Sequence, residues 1–414
     1  MSGVEVVNFG CRLNIAEGEA IRAAAEGSEG SENLVIFNSC AVTSEAERQV
    51  RQAIRRTKRD NPDARIIVTG CAAETSAERF AAMAEVDEIL PNAAKRDPAR
   101  FGAHFLPDTL ALKPALSGSD HARAFVEVQN GCDHDCTFCV TTLARGESRS
   151  IPAGAVVEAI QAVVARGQQE VVLTGVDLTS YGADLPGAPS LGHLVERILK
   201  HVPDLPRLRL SSLDSIEIDD RLFALIAGEP RIMPHVHLSL QSGDDMILKR
   251  MKRRHSRADA VGLVARLKAA RPDIAIGADI IAGFPTEEED MFARSLALLD
   301  DCDIVFGHIF PYSPRPGTAA ARMPQLDRTT IKARAERLRD RAKQRQASWL
   351  RSLVRTQQEV LVELDGRTGH APNHARVEIS DGQDFRRGSN ALRGGIMIVT
   401  ITDSLGDKLI GQSA

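Results

Sequence analysis

The chain reads as an α/β protein in three parts: an N-terminal parallel-sheet α/β domain, a central partial (β/α) barrel, and a small C-terminal β-barrel. Three observations predict this. Short β-rich runs alternate with helix-length segments from residue 4 to residue 310, and such alternation builds parallel sheets. Each of the first three runs ends within two residues of a cysteine. Beyond residue 357 the helical pattern stops, and apolar runs separated by Gly and Asp turns take over. The expected boundaries are 1–105, a linker at 106–122, 123–327, a basic helix at 328–356, and 357–414.

In the first part, strands are expected at 4–9, 33–38 and 64–69. Helices are expected at 15–25, 44–59 and 76–84. Residues 106–122 are rich in Pro, Gly, Ser and Ala and read as a linker. In the second part, strands are expected at 124–128, 170–175, 207–210, 235–240, 274–281 and 304–310, with a helix at 154–166 after the first. Six strands with intervening helices suggest a partial barrel, whose chemistry belongs at the carboxyl rim. Residues 329–355 read as one long helix carrying the only tryptophan, Trp349. In the tail, runs at 360–364, 375–379 and 395–401 suggest a small antiparallel barrel, a kind of module that often binds nucleic acid.

Composition narrows the class. At 414 residues, with 43% hydrophobic content, the chain can bury a sizeable core. No apolar run approaches the roughly 18 residues of a membrane span, and the N-terminus lacks a signal-like pattern. A cytoplasmic protein with no membrane partner is expected. Lys and Arg number 52 against 56 acids, so the net charge of −4 alone argues against a nucleic-acid partner. The distribution argues the other way: residues 328–355 hold ten Lys or Arg against Glu336 and Asp340, and 249–255 form a second basic cluster. Local positive surface matters more to phosphate than the total does.

The central motif is Gly131-Cys132-Asp133-His134-Asp135-Cys136-Thr137-Phe138-Cys139. Three thiols spaced C-x3-C-x2-C can hold three irons of a 4Fe-4S cube and leave the fourth open, whereas ordinary clusters and structural zinc take four protein ligands. Phe138 would shield one side. A zinc knuckle completed by His134 or Cys302 is the other reading. Cys11, Cys40 and Cys71 lie about thirty residues apart, one per β-α unit. Parallel sheets bind ligands at the carboxyl ends of their strands, so these thiols should meet at one edge and hold a second metal cluster. Cys302, within a strand-like run, reads as a small buried apolar residue.

The C-x3-C-x2-C spacing resembles the signature of radical S-adenosylmethionine (SAM) enzymes. That resemblance implies an open iron that chelates SAM and one-electron cleavage to an adenosyl radical. Residues after the barrel strands are then candidates to hold SAM: Thr174, Gly175 and Asp177, then Ser211, Gln241 and Gly283. Two cysteine sets followed by a basic helix and a small barrel resemble the methylthiotransferases, whose C-terminal domain is of the TRAM type. The resemblance is carried by residues 8–14 (NFGCRLN), 38–43 (NSCAVT), 69–71 (TGC), the central loop, and 173–182 (LTGVDLTSYG).

Gly-Cys-Arg-Leu-Asn with Cys-Ala-Val-Thr is similar to the branch acting on N6-threonylcarbamoyladenosine in tRNA. This implies two 4Fe-4S clusters, ligated by Cys11, Cys40 and Cys71 and by Cys132, Cys136 and Cys139. It also implies SAM, a tRNA anticodon stem-loop as substrate, and an electron donor of the flavodoxin or ferredoxin type. The product would be 2-methylthio-N6-threonylcarbamoyladenosine, and Arg253, Arg254, Arg334, Arg337 and Arg341 would contact phosphates. No catalytic residue is expected beyond the cluster ligands, since radical chemistry needs no acid–base pair. Sibling branches act on isopentenyladenosine in tRNA or on a ribosomal protein, and a zinc protein that binds RNA is the non-enzyme reading.

Overall fold

The computed structural model describes residues 3–26, 32–101, 121–380 and 393–414. The first domain runs β1 (Glu5–Asn8), α1 (Arg12–Ala25), β2 (Leu34–Ser39), α2 (Ser44–Asp60), β3 (Arg65–Gly70), α3 (Cys71–Thr75), α4 (Ala77–Ala81) and β4 (Glu88–Ile89). Its sheet has the order β1-β2-β3-β4 with every pair parallel. Successive β2 residues serve opposite faces. Leu34 and Ile36 pack with Ile21 and Ala24 of α1, whereas Val35 and Phe37 pack with Val50 and Ile54 of α2. Thr43 caps α2 by accepting from the Ala46 amide at 3.1 Å, and Glu45 and Glu47 favour the positive helix end. The single helix expected at 76–84 is instead two short helices that break at Ser76. The chain turns helical directly at Cys71, earlier than the apolar pattern indicated.

The central domain begins with β5 (Arg123–Glu127) and a small ribbon of β6 (Gln129–Asn130) and β7 (Arg149–Ser150) that brackets α5 (Thr141–Arg145). Then come α6 (Ala153–Ala165), β8 (Glu170–Thr174), α7 (Leu191–His201), β9 (Arg207–Leu210), β10 (Ser212–Leu213) and α8 (Asp220–Gly228). The series closes with β11 (His235–Gln241), α9 (Asp245–Arg250), α10 (Arg257–Ala270), β12 (Ala275–Ala282), α11 (Glu289–Asp301) and β13 (Ile304–Pro311). The strands form two parallel sheets, β5-β8-β9 and β10-β11-β12-β13, linked by a bridge between Leu208 and Ile232. The helices cover one face. Leu238, Ile276 and Ala278 pack there against Leu267, Leu298 and Leu299. The six expected strands are present, with the short β10 as an addition. Most of the expected 106–122 linker lies outside the described residues, and Ala122 is buried.

Helix α12 (Arg328–Ser352) is not a free basic rod. Ile331, Ala335, Leu338 and Ala342 recur at helical spacing and are buried. Ala335, Leu338 and Ala342 join the barrel core. Its arginines meet the acids around α11: Arg334 with Glu287 and Glu289, Arg337 with Glu289, Arg341 and Arg345 with Asp300. Trp349 packs edge-on against Phe306 at 5.2 Å.

The tail forms β14 (Gln357–Val362), β15 (Thr368–His370), β16 (Arg376–Ile379), β17 (Ile396–Leu405) and β18 (Lys408–Ser413). They close in the order β14-β15-β16-β18-β17. The barrel is not purely antiparallel as expected: β16 pairs with β18 in parallel. Strands β15 and β18 were not anticipated, because neither carries a continuous apolar run. This barrel docks on the amino ends of β5 and β9, where Arg123 meets Glu363 at 2.9 Å and Arg207 donates to the Glu359 carbonyl at 2.8 Å.

Glu287 ties the turn after β12 to α12. It accepts from the Gly283 amide at 3.0 Å and from Arg334 at 2.9 Å. Burial raises its carboxyl to about 7, and Arg334 opposes that shift without overturning it. The group is thus protonated more readily in the fold than at its ordinary value of 4.5. Its contribution is complete below that value and is lost as pH rises through about 7. Glu287→Gln should therefore flatten the fall in melting temperature between pH 5 and 7.5. A slope identical to that of the parent chain would contradict this account.

Candidate metal centre and cofactor pocket

Cys11, Cys40 and Cys71 sit where three parallel strands end. Cys11 precedes α1, Cys40 follows β2, and Cys71 opens α3. Gly10 makes the first turn with φ of +95°, and a Cβ there would lie 2.6 Å from the Cys40 sulfur. The backbone thus passes so close to Cys40 that only glycine fits. The three thiols sense one another. Burial, then Cys11 and Cys71, push the Cys40 thiol up to about 12, against relief from the Val42 amide. Cys11 lies in an open recess walled by protein; its thiol is raised by burial first, with Arg145 opposing and Cys71 adding.

The second set lies on the loop after β6. Gly131, φ +77°, precedes Cys132, and a Cβ there would strike the Glu147 carbonyl at 1.9 Å. The loop is pinned by Thr137, whose amide donates to Met251 at 3.2 Å and whose hydroxyl donates to the Arg250 carbonyl at 2.8 Å. Phe138 packs edge-on with Phe284 at 6.5 Å. Cys132 is raised to about 12 by burial, then by Asp177, Cys139 and Cys136, with the His134 amide opposing. Cys136 is raised by burial and eased by Arg253, which stands 3.6 Å from its sulfur.

Among the described residues the first set has only thiols, which is a donor set for soft metals and iron–sulfur clusters. In the second, His134 and Asp177 stand near Cys132 as a competing cation set. His134 is already engaged, 3.3 Å from Asp177 and 3.6 Å from Glu217. Cys302 is fully buried in the barrel core, its thiol pushed up to about 12 by burial, so it cannot complete either set. Both sets fit a cube held by three sulfurs.

A single guanidinium ties the first set to the segment that carries the second. Arg145 closes α5, six residues past Cys139. Its Nε donates to the Cys71 sulfur at 3.1 Å. Nη1 donates to Glu17 at 2.8 Å and Asn130 at 3.0 Å, and Nη2 to Asn14 at 2.7 Å and Glu17 at 3.0 Å. All five donors are matched. Burial alone would raise the Glu17 carboxyl; Arg145 and Lys95 instead hold it well below the carboxylate range. A second cross-domain pair, Arg315 with buried Glu47 at 3.0 Å, stands beside it. None of these partners carries a sequence signal. Arg145-Gly146 followed the cysteine loop, but Glu17 read only as part of a helix.

The candidate SAM residues fall in two groups. Thr174, Gly175, Asp177 and Ser211 gather at the ends of β8 and β9 beside the Cys132 loop. The Asp177 amide donates to Gln129 at 2.8 Å, and its carboxylate accepts from Ser180 at 2.7 Å. The Thr174 and Ser211 hydroxyls are buried without partners among the described residues, as are Ser215 Oγ and Asp214 Oδ1. Such a row of unmatched polar atoms suits a polar ligand. Gln241 ends β11 with φ of +67°. Gly283 stands apart: a Cβ there would lie 2.8 Å from Ile331 of α12, so this turn braces the helix rather than facing the pocket.

The expected phosphate contacts need correction. Arg334 is 6% exposed, paired with two glutamates, and stacked over Phe292. Arg253 is buried between Asp214, at 2.7 Å, and Cys136. Neither faces RNA. Arg254, Arg337 and Arg341 are partly exposed, each with a carboxylate partner in Glu217, Glu289 or Asp300.

A family described as the Radical SAM superfamily matches residues 126–299, and one described as Uncharacterized protein family UPF0004 matches residues 3–91. The threonylcarbamoyladenosine tRNA methylthiotransferase MtaB of Rickettsia prowazekii (strain Madrid E) is 46% identical over 389 residues, 91% of each chain. The chain belongs to the radical SAM methylthiotransferases. The enzyme of the same name from Thermotoga maritima is 34% identical over 88% of this chain and 87% of its own. The tRNA-2-methylthio-N(6)-dimethylallyladenosine synthase of Roseiflexus sp. (strain RS-1) is 32% identical over 92% and 84%. A solved structure of the cobalamin-dependent S-adenosylmethionine radical enzyme OxsB, at 11% identity and a TM-score of 0.51, covers 83% of this chain and 56% of that one, and shows the fold.

Two outcomes test this methylthiotransferase centre. Replacing Cys11, Cys40 and Cys71 together by alanine should halve reconstituted iron, from roughly eight to roughly four per chain. A loss of all iron would mean the sets do not assemble separately. Arg145→Met leaves Glu17 paired with Lys95 and Arg96 but removes its two bonds from Arg145 and those to Asn14, Asn130 and Cys71, and should lower unfolding stability by roughly 3 kcal/mol, read by denaturant titration.

Proposed function

We propose that this chain places a methylthio group on carbon 2 of N6-threonylcarbamoyladenosine next to the anticodon of tRNA. The observation that carries the reading is a pair of three-thiol sets, the first bonded by an arginine six residues past the second, in a chain 46% identical over nearly its full length to a protein named for that substrate. Relatives named for dimethylallyladenosine stand near 32–33%, and other relatives named for threonylcarbamoyladenosine at 32–34%.

Bound to these thiols, the clusters with SAM supply the one-electron chemistry that an aromatic C–H bond, too weakly acidic for any side-chain base, demands. The protein's own residues do the positioning. Cys132, Cys136 and Cys139 hold one cluster, and Cys11, Cys40 and Cys71 the other. Arg145 neutralises thiolate charge at Cys71 and fixes the separation of the two sets. Thr174, Asp177, Ser211 and Gln241 line the pocket assigned to SAM, and Phe138 with Phe284 keeps water from one side of the loop.

Val42, two residues past Cys40, and Leu143, four past Cys139, are 58% and 60% exposed. Such side chains offer contact to the flat faces of a base splayed out of an anticodon loop. Arg254, Arg337 and Arg341, with Lys332 and Lys343 on the exposed side of α12, would take phosphates of the stem-loop. A flavodoxin- or ferredoxin-type donor would deliver the electrons. Among the described residues no helix is long and apolar enough to cross a membrane.

The test is nucleoside mass spectrometry on tRNA from cells lacking the gene. Loss of the 2-methylthio threonylcarbamoyl nucleoside alone is the expected result. Loss of the methylthio isopentenyl nucleoside instead would reassign the substrate. A chain purified anaerobically with zinc and no iron would end the enzyme reading.

A further inference from the structure

The barrel strands β11, β12 and β13 turn one face to their helices and the other inward. His235, His237, Asp279, Phe306 and His308 lie on the inward face. His237 bonds Asp279 at 2.9 Å, and His308 stands 3.3 Å from the same carboxylate. Two other domains reach this wall. His374, between β15 and β16, approaches from the C-terminal barrel; its ring is 4.8 Å from that of His235. Arg12 approaches from the first domain, one residue past Cys11, and its Nη2 lies 3.4 Å from His374 Nε2.

Arg12 has no carboxylate of its own. Every acid nearby is engaged. Asp279 accepts from two imidazoles, Glu170 is bound by Arg209 at 2.7 Å, and Glu363 is bound by Arg123 at 2.9 Å and His370 at 3.1 Å. Among the described residues Arg12 bonds only His374. With His374 Nε2 accepting from the guanidinium, its proton sits on Nδ1, and that atom is buried without a partner, as is Nδ1 of His235, a residue 3% exposed. His374 also holds φ of +72°, a conformation histidine keeps only when its surroundings enforce it. The result is one guanidinium fork without a carboxylate, beside the Nδ1–H of His374 and an unmatched His235 nitrogen, a set of donors that an anion would satisfy.

We propose that Arg12, backed by His374 and His235, forms the subsite that receives the carboxylate of the threonylcarbamoyl group. This rests on the substrate reading given above and deepens it. A guanidinium fork matches a carboxylate in a bidentate contact. The position is right, because Arg12 follows Cys11 directly, so a base presented to that cluster puts its exocyclic substituent within an arginine's reach. A dimethylallyl group carries no charge and would leave the fork unmatched, so Arg12 is a specificity-determining residue.

The experiment uses the holoenzyme and two anticodon stem-loop RNAs, one with the threonylcarbamoyl group as its free acid, the other as its methyl ester. Binding and turnover are both measured, and iron content confirms that each variant holds its clusters. The parent enzyme should prefer the acid by about 100-fold. Arg12→Gln should bring the acid-to-ester ratio close to one, and Arg12→Lys, which keeps the charge but not the fork, should retain only part of it. A parent enzyme indifferent to esterification, or an Arg12→Gln enzyme with full iron that keeps the ratio, overturns the proposal. If neither RNA is turned over, the substrate reading itself falls, and the acid-to-ester ratio in binding still decides whether Arg12 holds a carboxylate.

Discussion

The buried guanidinium of Arg145 is the constraint on which the site depends. Its five donors are shared among a glutamate and an asparagine from α1, an asparagine from the barrel, and a cysteine sulfur from the first sheet. Burying a charge is costly unless it is paired and fully hydrogen-bonded. Those partners are present only when the two domains are docked in one way. The same contact that satisfies the charge therefore fixes how far apart the two thiol sets stand. Arg315 with buried Glu47 of α2 is a second ion pair between the same two domains, and together they resist rotation of one domain on the other.

Much of this was legible because it follows from local rules. A cysteine just past each of three alternating strands must land on one edge of a parallel sheet, and Cys11, Cys40 and Cys71 do. The C-x3-C-x2-C loop is a short-range pattern and needed no tertiary information. What escaped was long-range. Arg334 looked like a phosphate ligand, because nothing in its own helix shows that Glu287 and Glu289 would face it from nearly fifty residues away. Glu17 sits in a helix of alanines and glutamates, where one buried acid looks like any exposed one. In the tail, β15 is a Thr-Gly-His step and β18 alternates weakly. Closure by a parallel pair between β16 and β18 depends on a crossing that no hairpin signal announces.

The C-terminal barrel is more than an appended nucleic-acid module. It contributes His370 and His374 to the inward wall and is tied to the barrel strands through Glu359 and Glu363. The inner recess is thus lined by all three parts of the chain: Arg12 from the first, His235 to His308 from the second, and His374 from the third. This division leaves the barrel free to hold a cofactor at its rim while its flank meets the substituent of the base.

Helix α12 has a consequence for how the molecule would meet RNA. Four of its arginines, Arg334, Arg337, Arg341 and Arg345, are already paired with the acids around α11. An incoming phosphate would swap one anion for another instead of displacing loosely held solvent ions, so fewer such ions would be freed than a tally of basic residues implies. Association with nucleic acid should then weaken only gently as ionic strength rises. Discrimination would rest with the recess that holds the base, not with the charged flank that greets the backbone.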